Sequence, residues 1–275
     1  MRSRKFDIAL RVFWYVVLFF LSAPLRVVVL YSFNDANTPT HITHFSLRWY
    51  RRLFNNAQVL NALKLSLWLG LGSSLVSAAL GTMLGYGMYV HRGAKRLAWL
   101  VWIIYLPIAT PDIIYGISEL GFFTDMYAHF GILRPGFLTM LIAHVSFQLP
   151  FVALVVYSRL VGLDPELFNA CKDLYANGWQ RARCFIVPTL APAIMAGFFL
   201  AFTLSIDDLV ISFFTTGPGN TTLPIYIWSA IKKGITPEVN AAAAILIGGV
   251  FAAALVTMAV QYVKALTRRE RQAVL

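Results

Sequence analysis

The chain has 275 residues, of which 59% are hydrophobic and 13% charged, and a net charge of +11. That is too little charge to coat a soluble core of this length, so a soluble domain is excluded and a polytopic membrane protein is predicted. The positive balance does not mark a nucleic-acid binder, because the basic residues cluster at the ends of apolar runs.

A membrane-crossing helix needs about 20 apolar residues. Six stretches reach that length, at about 12–31, 65–89, 97–122, 138–157, 189–214 and 240–263. The predicted fold class is therefore an all-α membrane protein with six transmembrane helices. Met1–Lys5 is basic, but the apolar run after it is too long for a secretory leader. Lys and Arg favour one side of the membrane by roughly two to one, which places both termini and the 160–188 segment in the cytosol. The Arg48–Arg52 cluster is the main exception.

Span one contains Pro24, which bends it, and Arg26, which is expected to snorkel towards the nearby outer end. Ser46–Tyr50 reads as a short interfacial helix with Trp49 and Tyr50 at the headgroup level. Span two is rich in small residues, and Gly81 and Gly85 form a GxxxG pair that allows close helix packing. Span three carries Pro107, Pro111, Asp112, Gly116 and Glu119. Its prolines break the hydrogen-bond ladder and free carbonyls towards a cavity, and Asp112 is expected to face away from lipid. Span four carries His144, Ser146, Gln148 and Pro150, with His144 read as a satisfied packing residue.

The polar stretch 160–188 follows. Asp164 is a good N-cap and Pro165 suits the first helical position. Leu163, Leu167, Cys171 and Leu174 form an apolar stripe, with Glu166, Asn169, Lys172, Asp173 and Ala176 on the other face. Asn177-Gly178 is a break, and Trp179 to Ile186 forms a second short helix ended by Pro188. This elbow either docks a partner protein or lies on the lipid surface, anchored by Trp179, Phe185, Arg181 and Arg183. Cys171 and Cys184, the two cysteines, fit no metal motif and are expected to be reduced thiols in the cytosol.

Span five holds Phe202-Thr203-Leu204-Ser205-Ile206-Asp207-Asp208. A carboxylate at the centre of a span costs about 2.5–3.5 kcal/mol, so two in a row need a reason. On a continuous helix they would point about 100° apart, so one is expected to face a pore and the other a neighbouring helix. Thr203 and Ser205 add polar lining. Span six is rich in alanine, and the 264–275 tail is basic enough to sit on anionic lipid.

The elbow resembles the cytoplasmic loop of bacterial ABC importer permeases. Asn169-Ala170-Cys171-Lys172-Asp173-Leu174-Tyr175-Ala176, then Ile186-Val187-Pro188, keeps that family's spacing. Asn169 stands where Glu is usual, Cys171 replaces Ala and Tyr175 replaces Gly. The segment from Phe202 to Asp208, with Gly217-Pro218, Thr222-Leu223-Pro224, Pro237–Ala241, Tyr31–Asn34, Pro111–Ile113 and Ser158–Leu160, resembles the second permease subunit of spermidine/putrescine importers.

The resemblance implies a heterodimer with a homologous permease, two ATP-binding subunits and a periplasmic polyamine-binding protein, in the inner membrane. It implies a type I importer core over 62–263, preceded by a 1–61 segment with the first helix wrapped outside. It also implies ATPase coupling through Glu166, Asn169, Ala170, Lys172, Asp173, Ala176 and Gly178, with Glu166 taking the place of the family Glu. ATP and magnesium then belong to the partner ATPase, no cofactor or metal is expected in this chain, and no phosphate-binding G-x-x-x-x-G-K-[ST] loop is present.

A polyamine is a flexible polycation with a methylene spine. Its path needs carboxylates, here Asp112, Asp207 and Asp208, and aromatics, here Phe202, Phe213, Tyr226 and Trp228. Each of Asp207 and Asp208 either lines that path or braces the bundle. Another cargo for the same machine and a stand-alone proton-coupled carrier are the alternatives. An enzyme is not expected, since neither HExxH nor a recognisable Ser/His/Asp set occurs.

Overall fold

The computed structural model describes residues 4–36, 41–93, 98–164, 166–167, 177–232, 237–249, 251–252 and 255. The described residues are helical apart from loops and one isolated bridge between Asn34 and Phe45. The helices are α1 (Arg4–Ser32), α2 (Arg48–Asn55), α3 (Ala57–Val90), α4 (Ala98–Ala109), α5 (Asp112–Phe130), α6 (Phe137–Val161), α7 (Gly178–Ile206), α8 (Val210–Thr215), α9 (Leu223–Lys232) and α10 (237–249). Among the described residues four helices are long and apolar enough to cross a membrane: Phe6–Ser32, Ala57–Val90, Phe137–Val161 and Gly178–Ile206. Two predicted spans are not single helices. Span three is divided between α4 and α5, and span five between α7 and α8. The end of span six lies outside the described residues.

The residues group into two units, Met1–Leu60 with Ile227–Leu275, and Asn61–Tyr226. In the first unit α1 is exposed along its apolar length. Arg26 does not reach for the outer end. Its guanidinium lies 4.7 Å from the Phe19 ring centroid, back towards the N-terminus. Helical side chains lean that way, and the ring face attracts the cation. Trp49 and Tyr50 also depart from expectation, because α2 turns both inward. Trp49 is 2% exposed and its indole N–H donates to the Asn34 carbonyl at 2.7 Å. The Tyr50 hydroxyl meets Ser32 Oγ at 2.7 Å. A buried indole needs an acceptor for its N–H, and the turn at Asn34 supplies one. In the same unit Arg52 pairs with the buried Glu238, to which the Asn56 amide also donates.

In the second unit α6 is the central element. Val152, Val156 and Leu160 are fully buried in one cluster with Tyr89, Leu190 and Ala201. In lipid the hydrophobic effect does not draw apolar helices together, so close packing must do it. Small residues make that possible. A Cβ on Gly81 would lie 2.7 Å from Val152 Cβ, one on Gly85 2.6 Å from the Ala153 carbonyl oxygen, and one on Gly197 2.9 Å from Val152 Cγ1. The GxxxG pair of α3 and a glycine of α7 thus seat both helices against the same stretch of α6.

Candidate functional site: two helix breaks that carry aspartates

The second unit contains both helix breaks. The first follows α4. Thr110 N–H and Oγ both bond to the Leu106 carbonyl, at 3.0 and 2.6 Å, and Pro111 then takes φ −57° and ψ 137°. Proline has no N–H to continue the ladder and favours extended backbone just before it. Asp112 opens α5 immediately afterwards and is exposed. Its carboxylate suits the positive end of the helix dipole.

The second break contains neither proline nor glycine. α7 ends at Ile206, and Asp207 caps it through its N–H to the Thr203 carbonyl at 3.3 Å. Asp208 then caps α8. Its Oδ1 accepts from Ile211 N–H at 3.1 Å and its Oδ2 from Ser212 N–H at 2.7 Å. Aspartate disfavours a helix interior because its short side chain competes for backbone N–H groups, and here Asp208 takes two. The adjacent carboxylates are therefore not neighbours on one continuous helix, as the sequence predicts. They flank a gap and face different surroundings.

Asp208 is nearly enclosed and lies 3.3 Å from His144 Nε2. His144 is 2% exposed, with Nδ1 at 2.7 Å from Ser205 Oγ and Nε2 at 2.9 Å from Ser212 Oγ. Ser205 is buried and bonds to Ser73 Oγ at 3.3 Å. Gln148 donates to Ser73 at 3.3 Å and accepts from Ser77 at 3.1 Å. One polar chain thus links α3, α6, α7 and α8 through the apolar interior. Asp207 is exposed by contrast, and it interacts electrostatically with Asp208 and Asp112. α8 lies against α5, where a Cβ on Gly116 would approach Phe214 Cδ2 to 2.8 Å. The packing of α8 on α5 therefore sets the two breaks, each with an exposed carboxylate, on neighbouring helices.

The remaining expected lining is mixed. Thr203 is exposed, but its hydroxyl donates to the Phe199 carbonyl in its own helix at 2.9 Å. Phe202 is half-buried and stacks on Phe198 at 6.4 Å. Phe213 is exposed, Tyr226 half-buried. Trp228 belongs to the other unit, where Lys232 lies 5.2 Å from its ring centroid. His144 is the satisfied packing residue that the sequence predicts, buried with both ring nitrogens bonded, whereas Gln148 and Glu119 have no predicted place in the site. Ser146 Oγ donates to Glu119 Oε1 at 2.7 Å and accepts from the Tyr115 hydroxyl at 2.8 Å, while Glu119 Oε2 is buried without a hydrogen-bond partner among the described residues. The available signal was the number of polar residues on spans that face one another, Ser73 and Ser77 against His144 and Gln148.

Of the expected coupling residues, Asn169, Ala170, Lys172, Asp173 and Ala176 lie outside the described residues. Glu166 is exposed, and its N–H donates to Asp164 Oδ1 at 2.9 Å, the cap predicted for Asp164. Gly178 opens α7 behind a reciprocal cap, Asn177 Oδ1 with Gln180 N–H at 2.8 Å and Gln180 Oε1 with Asn177 N–H at 2.9 Å. The second elbow helix does not stop at Pro188. It is the first part of α7, which runs on through a π-helical turn at Arg181–Ile186, where Val187 N–H donates to the Ala182 carbonyl five residues back. The wider turn accommodates a proline that cannot donate at the next position.

Apolar helices broken around exposed carboxylates are the build of a multi-pass membrane transport protein. The chain belongs to the family described as binding-protein-dependent transport system inner membrane component, which matches residues 77–272. Its relatives include the Escherichia coli K12 putrescine transport system permease protein PotI, 38% identical over 84% of this chain and 83% of that protein. The spermidine/putrescine transport system permease protein PotC of the same strain is 36% identical over 83% of this chain and 84% of its own length. Two crystal structures of bacterial alginate ABC transporters share the fold. Each has a TM-score of 0.69. One is 12% identical, covering 95% of this chain and 98% of its own. The other, in complex with a periplasmic protein bound to an alginate pentasaccharide, is 17% identical and covers 93% of each.

Proposed function

We propose that this chain is the membrane-spanning permease subunit of an ATP-driven importer of polyamines such as putrescine and spermidine. It crosses the membrane six times with both termini in the cytosol. It pairs with a homologous permease and forms half of the translocation path. The elbow at 160–188 docks one of two separate ATPase subunits, which hold ATP and magnesium, and a periplasmic binding protein delivers the cargo.

The observation that carries this reading is the exposed pair Asp207 and Asp112, set at two helix breaks and within electrostatic reach of each other. Two exposed carboxylates that repel one another are stabilised by a cation between them, and a diamine or triamine is such a cation. The exposed Phe213 and half-buried Phe202 and Tyr226 supply apolar and π surface for its methylene spine. Asp208 and Ser205 brace the bundle in this reading, and the names of the relatives favour the same cargo.

The test is uptake of labelled putrescine and spermidine by cells that lack other polyamine import and express the complete transporter. Uptake that needs this chain, and that Asp207→Asn weakens, is the expected result. Unaltered polyamine uptake in Asp207→Asn together with Asp112→Asn would remove the path role. Orientation is read separately in a Cys171→Ser background. Cys184 is exposed and should react with an impermeant thiol reagent only from the cytosolic side.

A further inference from the structure

The hydrogen bonds around His144 have a direction. Ser77 Oγ donates to Gln148 Oε1, Gln148 Nε2 donates to Ser73 Oγ, and Ser73 Oγ donates to Ser205 Oγ. With Ser73 Oγ turned to Ser205 rather than to the Gly70 carbonyl at 3.4 Å, the Ser205 proton is left for His144 Nδ1. In a neutral imidazole that assigns the proton to Nε2, which faces Asp208 Oδ2 and Ser212 Oγ. Asp208 already holds the Ile211 and Ser212 N–H groups in the first turn of α8. The ring thus reaches the end of α7, through Ser205, and the start of α8, through Ser212 and Asp208.

We infer that His144 is a positioning residue: it latches the break between α7 and α8 open, and so holds Asp207 out on the exposed surface. A helix formed across 207–209 would turn Asp208 away from the ring and take the Ile211 and Ser212 N–H groups from its carboxylate. The contact to Asp208 is what opposes that repair. Asp207 itself makes no bond to the histidine, so its placement is inherited. The latch rests on the structure alone, and its link to transport rests on the path role proposed for Asp207.

The test separates the two nitrogens. An amide at His144→Gln reaches the Nε2 position and keeps the donor to Asp208. His144→Asn reaches only the Nδ1 position and keeps the Ser205 side. Each variant is placed in the complete transporter, with and without Asp207→Cys in a chain freed of Cys171 and Cys184. A positively charged thiol reagent then reports how far residue 207 is displayed, and uptake reports KM and maximal rate.

The expected order is wild type, then Gln, then Asn and Ala together. Labelling should fall about tenfold from wild type to Asn, with a matching rise in the KM for putrescine. Labelling within about twofold of wild type in Asn and Ala overturns the latch, as does Asn matching or exceeding Gln. Should His144→Ala fail to accumulate in the membrane, the contrast of Gln with Asn decides alone. If labelling follows the expected order while the KM does not move, the latch stands and the path role of Asp207 fails.

Discussion

The two helix breaks do the same job by different means. At Thr110–Pro111 the cause is covalent and local, since proline has no N–H to give and Thr110 turns its hydroxyl back on Leu106. At Asp207–Leu209 every residue has its N–H, and the gap persists because Asp208 caps α8 and His144 grips Asp208 from another helix. The first break belongs to the chain at that point, whereas the second belongs to the packed bundle. A break of the second kind is the more easily undone, because one changed side chain on either helix can release it.

The largest effect is therefore expected at Asp208. Asp208→Ala removes the cap of α8 and leaves the Ile211 and Ser212 N–H groups and the imidazole without their acceptor. Truncating one member of a buried, hydrogen-bonded pair costs about 3–5 kcal/mol. The transporter should show a large loss of thermal stability in detergent and little protein in the membrane. Asp208→Asn keeps one acceptor oxygen and should recover part of both. If Asp208→Ala melted within the range of ordinary surface variants, the second break would have to be local after all.

Asp207 should behave in the opposite way, although it is the next residue. It is exposed, its side chain caps nothing, and its electrostatic neighbours include two more carboxylates. Asp207→Asn relieves repulsion, so its melting temperature should not fall. The loss should appear in transport, as a rise of about tenfold in the KM for a diamine, the size of one lost charged contact in a partly desolvated path. A variant that melted early with an unchanged KM would exchange the roles of the two aspartates.

The contrast also explains what could be read from the amino acids alone. Composition and run length are properties of the chain, so the helical membrane class and the positions of the apolar stretches were legible. The proline break was partly legible for the same reason, and Pro111 and Asp112 already stood out. The aspartate break was not, because no proline or glycine stands between Phe198 and Thr216 and the apolar residues resume at Leu209. Nothing within span five shows that His144, more than sixty residues earlier, meets Asp208. Trp49 misled for a similar reason. An indole near a span end reads as a headgroup anchor until its N–H is seen to have a carbonyl waiting at Asn34.

The smallest effect is expected at Pro111. Pro111→Ala restores an N–H that can donate back towards Pro107 and lengthen α4. Among the described residues no hydrogen bond or ion pair from another helix holds this gap as His144 holds the other, so fusion of α4 with α5 breaks no such contact there. The stability change should stay within about 1 kcal/mol, the scale of a proline's backbone effect. Asp112 would be redirected in the fused fraction only, and uptake should fall about threefold, a shift near 0.6 kcal/mol. Combining Pro111→Ala with Asp207→Asn should then add little to the loss of uptake, because Asp112 and Asp207 act on one cation, whereas its stability change should add fully to that of His144→Asn, since the two breaks are opened by separate causes. Full additivity in the first pair would show that the two aspartates hold separate charges, and the comparison would have to be redrawn around two sites.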